Sequence, residues 1–333
     1  MKFVFALALF FVTLAVPLVA VERGTAGIER LQLLGRDYVR LQDWATANHF
    51  QSRWLERLKV VAFTNRTDRL VFTVSSKQAQ INGVNIWLSH PILLASGVPC
   101  LSQLDLQTTI QPLLQPARNS GGAKIKLIVL DPGHGGKDTG NSVGFHAEKK
   151  YTLLLAVEIR DLLKKSDIKV ALTRNNDSFV ELPERPAKAD RLGADLFVSL
   201  HFNATEEDRN NVSGAEVYCL TPAGVSSTNA DGQRGDTPWV TGNRNNEKNI
   251  LLAYQLQRSL THNLDVEDRG VRRARFAVLR DALMPAVLIE GGFMSHPAEG
   301  KKIFDATYRH QMARAIVSGI VAYQRLVETN FAK

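Results

Sequence analysis

From residue 125 onward the chain alternates apolar, β-branched runs with segments of helical period, and three of those runs stop at a residue able to bind a metal or move a proton. LIVL (127–130) leads through DPG to His134, LFVSL ends at His201, and AVLI ends at Glu290. Apolar runs without polar alternation mark strands covered on both faces. Strands that alternate with helices build an α/β sheet flanked on both sides, and such sheets hold ligands beyond the carboxyl ends of their strands. Parallel packing of the three runs would therefore bring two imidazoles and a carboxylate to one rim, although they lie far apart in the chain.

The intervening segments fit this scheme. Residues 148–165 form a helix with an apolar stripe at Leu154, Val157 and Leu162 beside the charged Glu158 and Asp161. IKVALTR (168–174) and GAEVYCL are further strands. Helices follow at 183–192, with proline near the start, at KNILLAYQLQRSL, and at 309–327. The expected class is α/β: a mixed, mostly parallel sheet flanked by helices on both faces over 125–330. It is preceded by a small α+β domain over 27–114 and a polar linker, QPARNSGGAK, at 115–124. In the small domain GRDYVRLQDWATANHF reads as a strand and a helix, and RLVFTVSSKQAQINGVNIWL as two strands joined by a turn at Asn82-Gly83. Its histidines, His49 and His90, are isolated, so its expected role is binding or positioning rather than chemistry.

Residues 1–20 have the layout of a secretory signal peptide: Lys2, an uncharged run with Pro17, and the small Ala20 before Glu22 and Arg23. The run approaches the ~20 residues that span a bilayer, so an uncleaved anchor is the competing reading. Export is expected, with no stable membrane insertion once the signal is removed. A formal charge of +8 favours anionic polymers, but no aromatics interleave with the basic residues as in nucleic-acid modules, so nucleic acid is not an expected partner. Cys100 and Cys219 fall in different expected domains and read as two buried thiols, although export would permit a disulfide. Asn203-Ala204-Thr205 is formally a glycosylation sequon; a glycan there would obstruct His201, so the match is read as accidental.

Two neutral imidazoles and one carboxylate suit a catalytic Zn²⁺ with a position left for water. Glu148, at the start of the first helix after the His134 loop, would face the same rim, though the helix dipole alone favours a carboxylate there. A further carboxylate must accept the water proton. Glu290 is the candidate, because an ionised group at the end of AVLI is costly to bury without a partner. His146 competes with Glu148 as a ligand. No compact metal motif such as HExxH is present.

LDPGHGGKDTG, EKKYTLLLAVEI, VALTRNNDSFVELPER, ADLFVSLHFNA, GAEVYCL and MPAVLIEGGFMSHPAE occur in an order that resembles the zinc-dependent N-acetylmuramoyl-L-alanine amidases over nearly all of 125–327. The resemblance implies one Zn²⁺ per chain on His134, Glu148 and His201, Glu290 as the catalytic carboxylate, and peptidoglycan as partner and substrate. It sets His146 aside. It also implies a bacterial protein working in the periplasm or outside the cell at the wall, on the amide between the lactyl group of N-acetylmuramic acid and L-alanine. Asp131 and Asn203 are expected to orient ligands or substrate. Thr139-Gly140-Asn141, Asp190 and His296 depart from commoner family choices. Some relatives plug the zinc site with an inserted helix; the stretch 221–249 here is polar and lacks a helical stripe, so it reads as a loop, with Trp239 placed either to stack on a sugar or to anchor it. The block INGVNIWLSHPILLASGVPCLSQLDLQTTIQPLL is similar to the small N-terminal domain of copper amine oxidases, which implies placement, with an envelope protein as a partner through 27–114, and not copper. A zinc peptidase acting on stem peptides and a wall-binding protein without turnover remain alternatives.

Overall fold

The structure, a computed structural model, describes residues 28–165, 167–228 and 237–328. The expected signal peptide and part of the 221–249 loop lie outside the described residues. The N-terminal segment contains β1 (Arg30–Leu33), β2 (Arg36–Arg40), α1 (Leu41–Ala47), β3 (Gln51–Glu56), β4 (Val60–Thr64), β5 (Arg69–Thr73), β6 (Gln78–Ile81), β7 (Val84–Trp87), β8 (Leu93–Ala95) and β9 (Val98–Ser102). One helical stretch follows, from α2 (Gln103–Asp105) through a wider turn to α3 (Gln111–Leu114). Asn82 and Gly83, at φ +49° and +84°, make the expected hairpin turn between β6 and β7. The stretch read as two strands forms three, because Ser75 at φ +59° turns the chain between β5 and β6.

The second segment runs β10 (Leu127–Pro132), the ribbon β11 (Ser142–Val143) and β12 (His146–Ala147), α4 (Glu148–Leu163), β13 (Lys169–Leu172), α5 (Glu184–Leu192), β14 (Leu196–Asn203), β15 (Ala215–Leu220), α6 (Asn246–Asn263), β16 (Asp268–Ala274), α7 (Ala277–Arg280), β17 (Ala286–Phe293), α8 (Pro297–Phe304) and α9 (Ala306–Glu328). Strands β13, β10, β14 and β17 are parallel neighbours; β15 joins β17 antiparallel and β16 joins β15 parallel. The sheet is mixed, as expected. One face is covered thickly: α4, α6 and α9 bury Leu155, Ile159, Leu251, Leu256, Ile316 and Ile320 against Ile128, Leu130, Val198 and Leu200. Among the described residues the helices on the opposite face are the short α5 and α7, which pack Ala189, Val278 and Leu279 on Val129, Phe197 and Leu288. A sheet covered so thinly leaves its carboxyl rim open.

Two readings need correction. The buried stripe of α4 is Tyr151, Leu155, Ile159 and Leu163, with Leu154, Val157 and Leu162 only partly covered, because the helix is rotated so that Glu148 and Thr152 also point inward. The second concerns β16, whose sequence DRGVRRA gave no strand signal. It pairs with β15 and, through Val271 opposite Ile86, with β7, so that β7-β6-β5-β4-β3 extend the catalytic sheet to eleven strands. The cut at 115–124 divides the chain, yet the sheet and its apolar core run across it.

Charge in β16 is tolerated because each group meets a partner. Arg273 is 1% exposed and donates to Thr108 O and Thr109 Oγ1, both at 2.8 Å. Asp268 accepts from Asn85 N at 2.8 Å and from Gln257 Nε2 at 2.7 Å. Cys100 and Cys219 are free, buried thiols. Among the described residues no helix is long and apolar enough to cross a membrane.

Gly270 sits at the joint at φ +89°, and a Cβ there would stand 2.8 Å from Asn85 O. Gly270→Ala is expected to destabilise by about 1–3 kcal/mol, read as a thermal midpoint lowered by roughly 2–4 °C per kcal/mol. An unchanged midpoint would show that the joint does not depend on this close approach.

Candidate metal centre

The registers set the site. Across β14 and β17 His201 is paired with Glu290, and across β17 and β15 Glu290 is paired with Glu216. Pro132 of β10 faces Leu200 of β14, which brings Gly133 level with His201. The chain then leaves the strand through a loop in which His134, Gly135 and Gly136 take φ of +62°, +128° and +57°. A left-handed conformation at a histidine is uncommon; here it turns the ring back over the rim.

His134, Glu148 and His201 converge. Glu148 Oε2 lies 3.1 Å from His134 Nε2, and its Oε1 lies 2.9 Å from His201 Nδ1. The two rings stand edge to face, with centroids 4.9 Å apart. One ligand atom from each residue lies within 4.8 Å of the others, a spacing that suits a single ion.

The surroundings hold each group in place. Glu148 is 1% exposed, and its carboxylate accepts from Asn141 N (2.9 Å), Asn141 Nδ2 (3.0 Å) and Phe202 N (3.1 Å). Burial works to raise its pKa, but the hydrogen bonds from His134 and His201 outweigh it and hold the carboxyl well below the usual range. His134 Nδ1 pairs with Asp138 Oδ2 at 2.8 Å, which leaves Nε2 to face the cleft. Burial pulls the pKa of His134 down; bonds and charge from Glu148, then Asp138, more than reverse this.

Asp131 works one level lower. Fully buried, it accepts from Arg185 Nη1 (2.9 Å), Thr173 Oγ1 (2.6 Å) and Ser199 Oγ (2.8 Å). Arg185 Nη2 also donates to His134 O at 3.0 Å. Asp131 therefore braces the backbone of the His134 loop and touches neither ring.

Glu290 lines a cleft of about 290 Å³ together with His134, Asn141, Glu148, His201 and an apolar wall that includes Leu182, Phe276 and Leu288. Its Oε2 has no hydrogen-bond partner. Burial, reinforced by the charges of Glu148 and Glu216, pushes its pKa well above the ordinary value.

Other expected residues lie elsewhere. Asn203 donates to Glu216 Oε1 at 3.2 Å instead of meeting the trio. His146 bonds Tyr151 Oη and stacks on Phe304. His296 caps α8 by accepting from Glu299 N at 3.1 Å. Trp239 is exposed, beside the Arg244 guanidinium, and is not among the residues lining the cleft. Residues 237–240 carry no helix in the described part of the 221–249 loop, and Thr241–Asn245 is a short 3-10 turn. Asp138, Asn141, Arg185 and Glu216 were given no role from sequence; Asp138, four residues beyond His134 and joined to it through glycines, carried the one readable signal.

The family model for N-acetylmuramoyl-L-alanine amidase matches residues 128–322. The chain belongs to that family. It is an enzyme of that class, a peptidoglycan amidase that hydrolyses the bond between N-acetylmuramic acid and L-alanine. It is 32% identical over 231 residues to the N-acetylmuramoyl-L-alanine amidase AmiA of Escherichia coli, a match covering 62% of this chain and 78% of that one. To the amidase LytC of Bacillus subtilis it is 35% identical over 200 residues, covering 60% of this chain and 36% of LytC. The structure of the amidase AmiC2 of Nostoc punctiforme superposes with a TM-score of 0.50 at 33% identity, covering 60% of this chain and 98% of that one. These shared regions correspond in extent to the second segment.

Two outcomes follow from the packing. A Cβ on Gly133 would stand 2.2 Å from the His201 ring, so Gly133→Ala is expected to weaken divalent-metal affinity by about 10–100-fold while the circular dichroism spectrum stays native; unchanged affinity by metal titration would contradict the geometry. Because the folded-state pKa of Glu290 is raised, its contribution to stability is present at acid pH and lost as pH rises through the folded value. In metal-free protein, Glu290→Gln should therefore leave the thermal midpoint near the parent's at acid pH and above it by several degrees at alkaline pH. A constant difference across the range would refute the buried-carboxylate assignment.

Proposed function

We propose that His134, Glu148 and His201 hold a single Zn²⁺ and that Glu290 is the proton carrier of the amidase reaction. The donor set supports zinc: two imidazoles and a carboxylate converge, with Asp138 and Asn141 oriented to keep their ligand atoms directed at one point. Such an ion, when bound, would polarise the lactyl amide carbonyl and make water acidic enough to attack at neutral pH.

The observation that carries the reading is Glu290. It is an unpartnered carboxyl opposite His201 in the sheet and on the wall of the cleft. Its surroundings disfavour charge, so the ionised carboxylate accepts a proton readily. Glu290 takes the proton of the attacking water; oxygen bonds to the lactyl carbonyl carbon; the carbon–nitrogen bond breaks; and Glu290 returns the proton to the departing L-alanine nitrogen. Asp131 and Arg185 keep the loop fixed meanwhile, and Asn203 acts through Glu216.

Access supports activity without an activator: the side chains of His134 and His201 are 23% and 18% exposed. We also read the protein as exported to the wall, its net charge suiting an anionic polymer. Exposed leucines on the hairpins of residues 28–114, Leu34, Leu55, Leu58 and Leu94, support that segment as the place for an envelope partner.

Digestion of peptidoglycan by the purified chain with zinc, followed by mass spectrometry, should release intact stem peptides with a free L-alanine amine, and a chelator should abolish the release. Shortened stems would instead indicate a peptidase, and no release a binder. Glu290→Gln should lower kcat by about 10²–10⁴-fold with bound zinc unchanged; retained turnover would remove Glu290 from this role.

A further inference from the structure

The row of side chains continues past Glu290. Glu216, opposite it on β15, is 2% exposed and accepts from Tyr218 Oη at 2.9 Å as well as from Asn203. Arg269 Nε and Arg272 Nε both approach its Oε2, at 3.1 and 2.8 Å. One buried carboxylate calls for one cation. Here there are two, and among the described residues the ion pairs of both arginines go to Glu216 alone, so the cluster carries a surplus positive charge.

The guanidinium groups are held in a way that leaves donors free. Arg269 lies over the Phe293 ring at 4.9 Å and Arg272 over Trp87 at 4.7 Å, so the rings occupy the flat faces, while Glu216 accepts from Arg269 Nε and pairs with Arg272 by charge and proximity alone. The terminal nitrogens remain, with one long contact from Arg269 Nη1 to Ser213 O at 3.4 Å, on side chains that are 24% and 16% exposed. A partly desolvated guanidinium edge matches a carboxylate. Trp87 comes from the N-terminal segment and is fixed by donating to Arg269 O at 3.1 Å, so that segment helps to shape the cluster.

Position relative to the trio sets a length. Adjacent strands lie ~4.8 Å apart, so Glu216 stands about two strand spacings, roughly 10 Å, from His201. An extended peptide advances ~3.3–3.6 Å per residue. A substrate with its scissile amide at the trio and its leaving group running past Glu290 reaches the arginines two or three residues later. A carboxylate borne two or three residues along the leaving peptide would therefore meet these guanidinium groups.

We propose that Arg269 and Arg272, aligned by Glu216, Phe293 and Trp87, form a carboxylate-binding subsite that recognises the acidic second or third residue of the stem peptide on the leaving-group side of Glu290. This rests on the amidase reading, and two measurements separate the two ideas. The first compares cleavage of soluble muramyl tetrapeptides whose second and third residues carry free carboxylates or amides, using the zinc-loaded full chain. Amidation of both should raise KM by about tenfold or more with a smaller change in kcat, Arg272→Gln should erase the preference, and Arg272→Lys should keep part of it. A purely structural role for Arg272 would slow both substrates alike. Equal KM values for the two substrates in the unaltered protein, or an undiminished preference in Arg272→Gln, would overturn the proposal, and the first of these needs no variant to fold. The second measurement titrates the free stem tetrapeptide and its diamide onto the metal-free chain. Tighter binding of the acid here, together with no turnover by the zinc-loaded chain in the first measurement, would leave the subsite standing and sink the amidase reading; turnover in the first measurement blind to the stem's charge would do the reverse.

Discussion

The site depends on one buried carboxylate. Glu148 is nearly inaccessible, and its two oxygens face five donors: two from Asn141, one from Phe202 and one from each of His134 and His201. A charge so enclosed persists only because it is paired on every side. The donors come from two parts of the chain, the loop after β10 and the end of β14, and meet Glu148 at the start of α4, so the same contacts that stabilise the carboxylate also fix the mutual placement of the imidazoles. His134, Glu148 and His201 are thus brought together by the fold itself, in the arrangement that the proposed metal site requires.

Around that centre the protein separates groups by their surroundings. Glu148 and Glu290 stand in the same cleft with opposite tendencies: donors favour the ionised form of the first, while burial and neighbouring negative charge push the pKa of the second upward. This divergence is what the proposed roles, ligand for the first and proton carrier for the second, require. Glu216, next along the row, is balanced by arginines instead. Three glutamates close together thus sit in three different environments, and the difference lies in what surrounds each.

The N-terminal strands have a part in this arrangement because β16 accepts β7 at its edge. A strand edge left open invites pairing with other chains, and β7 fills it while contributing Trp87 to the arginine cluster. Much of this was not legible beforehand. The runs ending in His134, His201 and Glu290 were readable because apolar strands announce themselves by composition, and the turn at Asn82-Gly83 because few residues accept its dihedral angles. DRGVRRA was not readable as a strand, since the buried charges of Asp268 and Arg273 are hydrogen-bonded by Thr108, Thr109, Asn85 and Gln257, residues distant in the chain. The misplaced stripe on α4 has a related cause: Glu148 and Thr152 point inward toward polar partners, and periodicity counts only apolar side chains.

Sequence alone determined the alternation of strands and helices, the residue types able to bind zinc and move a proton, and the resemblance of six blocks to one enzyme family. These are local properties, written in composition, spacing and order. Only the tertiary structure decided that Asp131 braces a loop, that Asn203 serves Glu216, that His146 stacks on Phe304, and that Glu290 is left without a partner. Each of those outcomes turns on which strand lies beside which and in what register, and register is settled by packing across the sheet between segments that have no adjacency in the chain.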